Sequence, residues 1–193
     1  MKRGKSVHTR NSQPYSSHTP ELRMMVFASL FAALTAAGAY IQIPIPFSPV
    51  PFTLQVIFVL LAGSMLKSKW GSLSMIVYTL LGVAGLPVFS GGSSGIGVIL
   101  GPTGGYIIGF ILAAFIIGKL SERNEKNTKS RFFINALNMS AGILAIYACG
   151  VFQLMLVAEL SLKTALTLGV LPFLPGEIIK TGVAAYIASN HEL

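Results

Sequence analysis

From residue 22 onward the chain alternates between long apolar runs and short breaks that are polar or rich in proline and glycine. Six apolar runs can be placed, at residues 22–41, 52–66, 71–86, 104–120, 133–158 and 165–189. Runs of about 17–25 residues cross a hydrocarbon core of about 30 Å as helices, so the pattern predicts an all-α, polytopic membrane protein with six transmembrane helices. The second and third runs are the shortest. The first twenty residues, MKRGKSVHTRNSQPYSSHTP, are polar and basic and lack an apolar stretch. They read as a disordered cytoplasmic tail (1–20), not a signal peptide, ahead of a single membrane domain (21–193).

Composition agrees with that pattern. The chain is 53% hydrophobic and 10% charged, with a mean hydropathy of +0.71, whereas soluble domains carry about 25% charged residues. A net charge of +8 would suit a nucleic-acid partner, but the basic residues lie between apolar runs and are not interleaved with aromatics. They are topology signals, and no nucleic-acid partner is expected. With six crossings, one side receives Lys2, Arg3, Lys5, Arg10 and Arg23, then Lys67 and Lys69 of KSKW, then Lys119, Arg123, Lys126, Lys129 and Arg131 of KLSERNEKNTKSR. The other side receives only Lys163. The positive-inside rule therefore predicts that both termini are cytoplasmic, with lipid around the bundle. Cys149 has no partner in the chain and reads as apolar filler. His8, His18 and His191 lie near the termini without ligand-like spacing, so neither a metal nor a cofactor is expected.

The remaining basic residue changes the picture. In LPFLPGEIIKTGVAAYIAS (171–189), Glu177 and Lys180 are the only charges expected inside the membrane. Three residues apart on a helix they share a face, and an ionisable residue at mid-membrane costs at least about 2.5–3.5 kcal/mol on insertion scales. Two readings follow: an internal ion pair locking helices together, or a pair lining a wet cavity. Pro175 and Gly176 just before it suit a helix start near the outer surface, where a ligand has access.

Other segments gather on the same predicted side. LPVFSGGSSGIGVILGPTGGYIIGF (86–110) lacks both GxGxxG and GxxxxGK[ST] spacing, so it is no nucleotide loop. Either it is a flexible connection, or its glycines bring backbone donors close to a small ligand and its Ser90, Ser93 and Ser94 point inward. IPIPFSPVPFTLQ, with Pro44, Pro46, Pro49 and Pro51, predicts a stiff extended loop; Gln55 follows it as an uncharged donor and acceptor. Small residues recur every fourth position, at Gly101, Gly105 and Gly109 and at Ala28, Ala32 and Ala36. Each series makes a flat helix face for internal packing or for a partner.

The combination of IPFSPVPFTLQ (45–55), GLPVFSGGSSGIGVILGPTGGYIIGF and LPGEIIK, in this order, resembles the BioY family, the biotin-specific S components of energy-coupling factor transporters. The resemblance runs from Leu22 to near the end. It implies a six-span protein that captures biotin from outside with high affinity and performs no catalysis. It also implies a transmembrane coupling protein and two cytoplasmic ATPases as partners. The implied biotin-binding residues are Glu177, Lys180, Gln55, Ser90, Gly91, Gly92, Ser93 and Tyr106, with Phe47, Phe52 and Phe89 as further apolar wall. The alanine face of Ala28, Ala32 and Ala36 fits the coupling-protein contact. Glu177 stands where the family form usually has Asp. Glu177 suits a ureido N–H, and Lys180 suits either the ureido oxygen or the ligand's carboxylate.

Rival expectations are an S component for another small vitamin and a stand-alone secondary transporter whose Glu177 carries a proton. An intramembrane enzyme fits less well, because no second carboxylate or His lies inside the membrane to complete a catalytic constellation.

Overall fold

The computed structural model describes residues 19–124 and 131–191, with the side chains of residues 19 and 20 left out. The tail reading, with His8, His18 and the tail's basic residues, and the loop residues Glu125, Lys126 and Lys129 lie outside the described residues. The helices are α1 (Thr19–Tyr40), α2 (Gln55–Val83), α3 (Ile96–Leu100), α4 (Gly104–Asn124), α5 (Arg131–Val157), α6 (Leu162–Gly169) and α7 (Leu174–Asn190). Five described helical stretches are long and apolar enough to cross a membrane.

The second and third apolar runs fall within α2, which is not a rod. Lys67 sits at φ 65°, ψ −176° and breaks it. Beyond the break the chain folds back: a Cβ on Gly71 would lie 2.8 Å from the carbonyl oxygen of Ala62, and Gln55 donates its side-chain amide to the hydroxyl of Tyr78. On a straight helix those two residues would stand about 34 Å apart. The two arms, residues 55–66 and 68–83, are thus an antiparallel hairpin. Glu122 of α4 fastens the turn, its Oε1 accepting from the backbone N–H of Ser68 at 3.0 Å and from its hydroxyl at 2.6 Å. A carboxylate there satisfies an orphan N–H and lies at the positive end of the second arm.

The hairpin and α4 form the centre. α1 packs on the hairpin, α4 on both the hairpin and α5, and α7 on α5 and the hairpin. Gly105 and Gly109 allow the α4–α5 approach, since a Cβ would lie 2.3 Å from the Cys149 carbonyl oxygen at Gly105 and 2.7 Å from Ile146 Cα at Gly109. Gly105 and Gly109 of that series thus serve internal packing. The core includes Tyr78, Phe89, Leu60, Leu66, Met75 and Ile117, all fully enclosed.

Two segments carry more structure than the apolar pattern predicts. The run at 165–189 is not one continuous helix: its first residues belong to α6, and a tight turn at Leu171–Phe173 carrying Pro172 precedes α7. Proline has no N–H for the helix interior, so the chain restarts there. The proline-rich connection is not merely extended. It makes a two-stranded antiparallel ribbon, β1 (Gln42–Ile43) and β2 (Phe52–Thr53), with Gln42 opposite Thr53, the one departure from an all-helical architecture among the described residues.

Candidate functional site

The turn before α7 places the charged pair. α7 begins with Pro175 in its first turn, where a missing N–H costs nothing, and Glu177 follows in that turn, where the helix dipole favours a carboxylate. One turn deeper, Lys180 Nζ donates to Glu177 Oε1 at 2.6 Å. Both are buried, Glu177 at 7% and Lys180 at 3% exposure. Lys180 Nζ also lies 3.8 Å from the ring centroid of Phe52, close enough for a cation–π contact. Phe52 reaches this position because residue 176 is glycine: a Cβ there would fall 2.3 Å from its ring. The same ring stacks on Phe173, with centroids 6.4 Å apart.

The pair lines a cavity of about 390 Å³ between the hairpin, α4, α5 and α7, within the usual size range of small-molecule sites. The β1–β2 ribbon and the glycine-rich connection close it at one end. Tyr40 donates its hydroxyl to the Pro87 carbonyl, Ser90 Oγ donates to Gln42 Oε1 at 2.6 Å, and Ser48 Oγ donates to the Leu168 carbonyl at 2.8 Å. These bonds tie the ribbon to the glycine-rich connection on one side and to α6 on the other.

Of the expected residues, Glu177, Lys180, Gln55, Ser90, Ser93 and Tyr106 line this cavity, and Phe52 joins them. Gln55 is fixed by Tyr78 and by Thr53 Oγ1, which donates to its Oε1 at 3.2 Å. Tyr106 is fixed by its hydroxyl, which donates to the Gly169 carbonyl at 3.0 Å, so it offers the cavity its ring. Gly91 and Gly92 are not in the lining. At φ 68° and 74° they turn the loop so that Phe89 and Ser93 pair. Ser94 is exposed and outside the lining. Phe47 is 64% exposed, and Phe89 is wholly buried edge-on against Tyr78, so neither is wall.

Sequence reasoning missed Gln42, Thr103, Phe110, Ile143, Ile146, Tyr147 and Phe173 in the lining. Tyr147 matters most: its hydroxyl and Glu177 Oε2 are buried without a hydrogen-bond partner. Unpartnered buried polar atoms are costly, and two on residues that line one cavity suit a ligand carrying both donor and acceptor. The signal was faint, since α5 carries one tyrosine among aliphatic residues at core-like spacing.

The alanine series does not present one outward face. Ala28 and Ala32 are buried at 4% and 3%. Ser74 of the hairpin's second arm donates to the Ala28 carbonyl at 2.6 Å, and Ala36 is half-buried. The outward small residues of α1 are the next in register, Ser29, Ala33 and Ala37. No cluster of three or more metal-ligating side chains occurs among the described residues.

Comparison with known proteins gives concordant matches. The model of the BioY family matches residues 9–192. The biotin transporter BioY of Thermotoga maritima is 44% identical over 167 residues, covering 86% of this chain and 94% of that protein. That of Rhizobium etli is 38% identical, covering 86% and 90%. A crystal structure described as the S-component for biotin from an ECF-type ABC transporter superposes with a TM-score of 0.84 at 28% identity, covering 91% of this chain and 93% of that one.

Proposed function

The chain belongs to the BioY family, and we propose on that premise that it is the high-affinity biotin-capturing S component of an energy-coupling factor transporter. The observation that carries the reading is the buried Glu177–Lys180 pair lining a cavity together with Tyr147, with Glu177 Oε2 and the Tyr147 hydroxyl both buried and without a hydrogen-bond partner. Biotin's head supplies what these atoms lack. A ureido N–H donates to Glu177 Oε2, Tyr147 donates to the ureido oxygen, and the thioether ring lies against Phe52, Phe110, Ile143 and Tyr106. Lys180 holds the Glu177 carboxyl in place through its hydrogen bond to Oε1. Gln55 and Ser90 belong to the polar lining. The chain performs no catalysis and carries no cofactor; biotin is its cargo.

We read the two arms of α2 as separate crossings, which with α1, α4, α5 and α7 makes six. The basic end, with Lys67, Lys69, Lys119, Arg123 and Arg131, is cytoplasmic, and the cavity end faces outward from a bacterial plasma membrane. The power stroke belongs to a transmembrane coupling protein and two cytoplasmic ATPases. The burial of Ala28 and Ala32 favours Ser29, Ala33 and Ala37 as the part of α1 that meets the coupling protein.

Calorimetric titration of the detergent-purified chain tests the reading. Biotin should bind saturably at one site per chain, and a panel of other vitamins should not. Binding of a different vitamin in place of biotin would reassign the cargo.

A further inference from the structure

The cavity changes chemistry along its depth. Its buried end holds Glu177, Lys180 and the Tyr147 hydroxyl; toward the connecting loops the lining is Gln42, Ser90, Ser93 and Thr103, all uncharged and none of them buried. Lys180 is the only cation among the described lining residues, and it is already committed to Glu177 on one side and the Phe52 face on the other. The pair is net neutral. A second carboxylate brought to it would meet Glu177 as well as Lys180, both of them buried, where like charges repel strongly. Lys163, the other described cation toward this end, lies at the start of α6 and does not line the cavity.

A tail carboxylate therefore finds no cation. It stays at the mouth, among hydroxyl and amide groups and solvent. We propose that the site recognises its ligand by the ureido head alone and is indifferent to the tail's charge, so that its ligand class includes neutral, tail-blocked biotin derivatives such as the primary amide and simple esters. This rests on the biotin reading above and deepens it. It also assigns Gln42 and Thr103, on the ribbon and at the start of α4, to the tail as neutral donors.

The test is competition binding on the purified full-length chain with biotin, biotinamide, biotin methyl ester and a ureido N-methyl biotin. Amide and ester should bind within about threefold of biotin, whereas losing a charge-assisted hydrogen bond would weaken them about tenfold to a hundredfold. The N-methyl analogue should lose at least about tenfold, because it removes the donor meant for Glu177. Biotin affinity should be unchanged by Lys163→Gln. Tight biotin with amide and ester both rejected would overturn the inference and leave the biotin reading standing. So would a Lys163→Gln chain that loses affinity for biotin but not for the amide. Failure of biotin itself to bind would remove the reading and the inference together.

Discussion

Lys180 is held from two sides, by Glu177 Oε1 and by the Phe52 ring, and the hold is tighter than an open wet pocket would give. Structural and ligand-binding roles of the pair are therefore not exclusive, and they separate by mutation. Lys180→Met strands a buried carboxylate and should cost about 3–5 kcal/mol of stability, read as a lower melting temperature in detergent. Glu177→Gln with Lys180→Met removes both charges and should recover most of that loss. The double variant should still bind biotin at least about tenfold more weakly, since the carboxylate acceptor for the ureido N–H is gone. Biotin binding at wild-type strength by a stable double variant would make the pair purely structural. At this scale the sequence was legible where chemistry was rare: two charges in an apolar run stand out whatever the fold. Tyr147 and Phe173 did not stand out, because an aromatic residue in a membrane helix looks the same whether it faces a cavity, a neighbour or lipid.

Among the elements, α1 shows how far periodicity reaches. Spacing of four identifies a flat stripe but not the direction in which it faces, and α1 carries two adjacent stripes, Ala28/Ala32/Ala36 and Ser29/Ala33/Ala37, about 100° apart on the helix. Packing against the hairpin decides between them and turns the first inward. The two stripes predict opposite phenotypes. Ala32→Trp forces a large ring into a filled core and should destabilise the chain by about 1–3 kcal/mol or prevent its folding, with biotin binding lost alongside. Ala33→Trp should leave the purified chain folded and its biotin affinity within about twofold of wild type. In cells carrying the whole transporter it should abolish biotin uptake. Normal uptake with Ala33→Trp would place the coupling contact elsewhere. The hairpin was legible in another way. KSKW marked a polar break between two short runs, but the reversal needs Lys67 at positive φ and a carboxylate from α4 across the turn, and no local pattern announces a partner 54 residues away.

For the molecule as a whole, charge distribution and fold point to the same polarity. The hairpin turn at Lys67, the Lys119–Glu122 pair at 3.1 Å and the start of α5 at Arg131 share one end of the bundle. The ribbon, the glycine-rich connection and the α6–α7 turn close the other end over the cavity. The loops at the cavity end carry Lys163 and Glu159 as their only charged residues between the end of α1 and the start of α7. Moving the basic end across a bilayer would be costly, whereas the cavity end passes readily, which is the physical content of the positive-inside rule. The topology can be read with the chain's own chemistry, because Cys149 is its single cysteine. In a Cys149→Ser background, Ser94→Cys lies in the glycine-rich connection and Lys69→Cys beside the hairpin turn; both positions are exposed. A membrane-impermeant maleimide added to intact cells should label the first and not the second, and permeabilisation should make the second reactive. Labelling of residue 69 alone in intact cells would invert the molecule. The cavity would then open to the cytoplasm, the wrong side for the outward-facing capture of biotin proposed above.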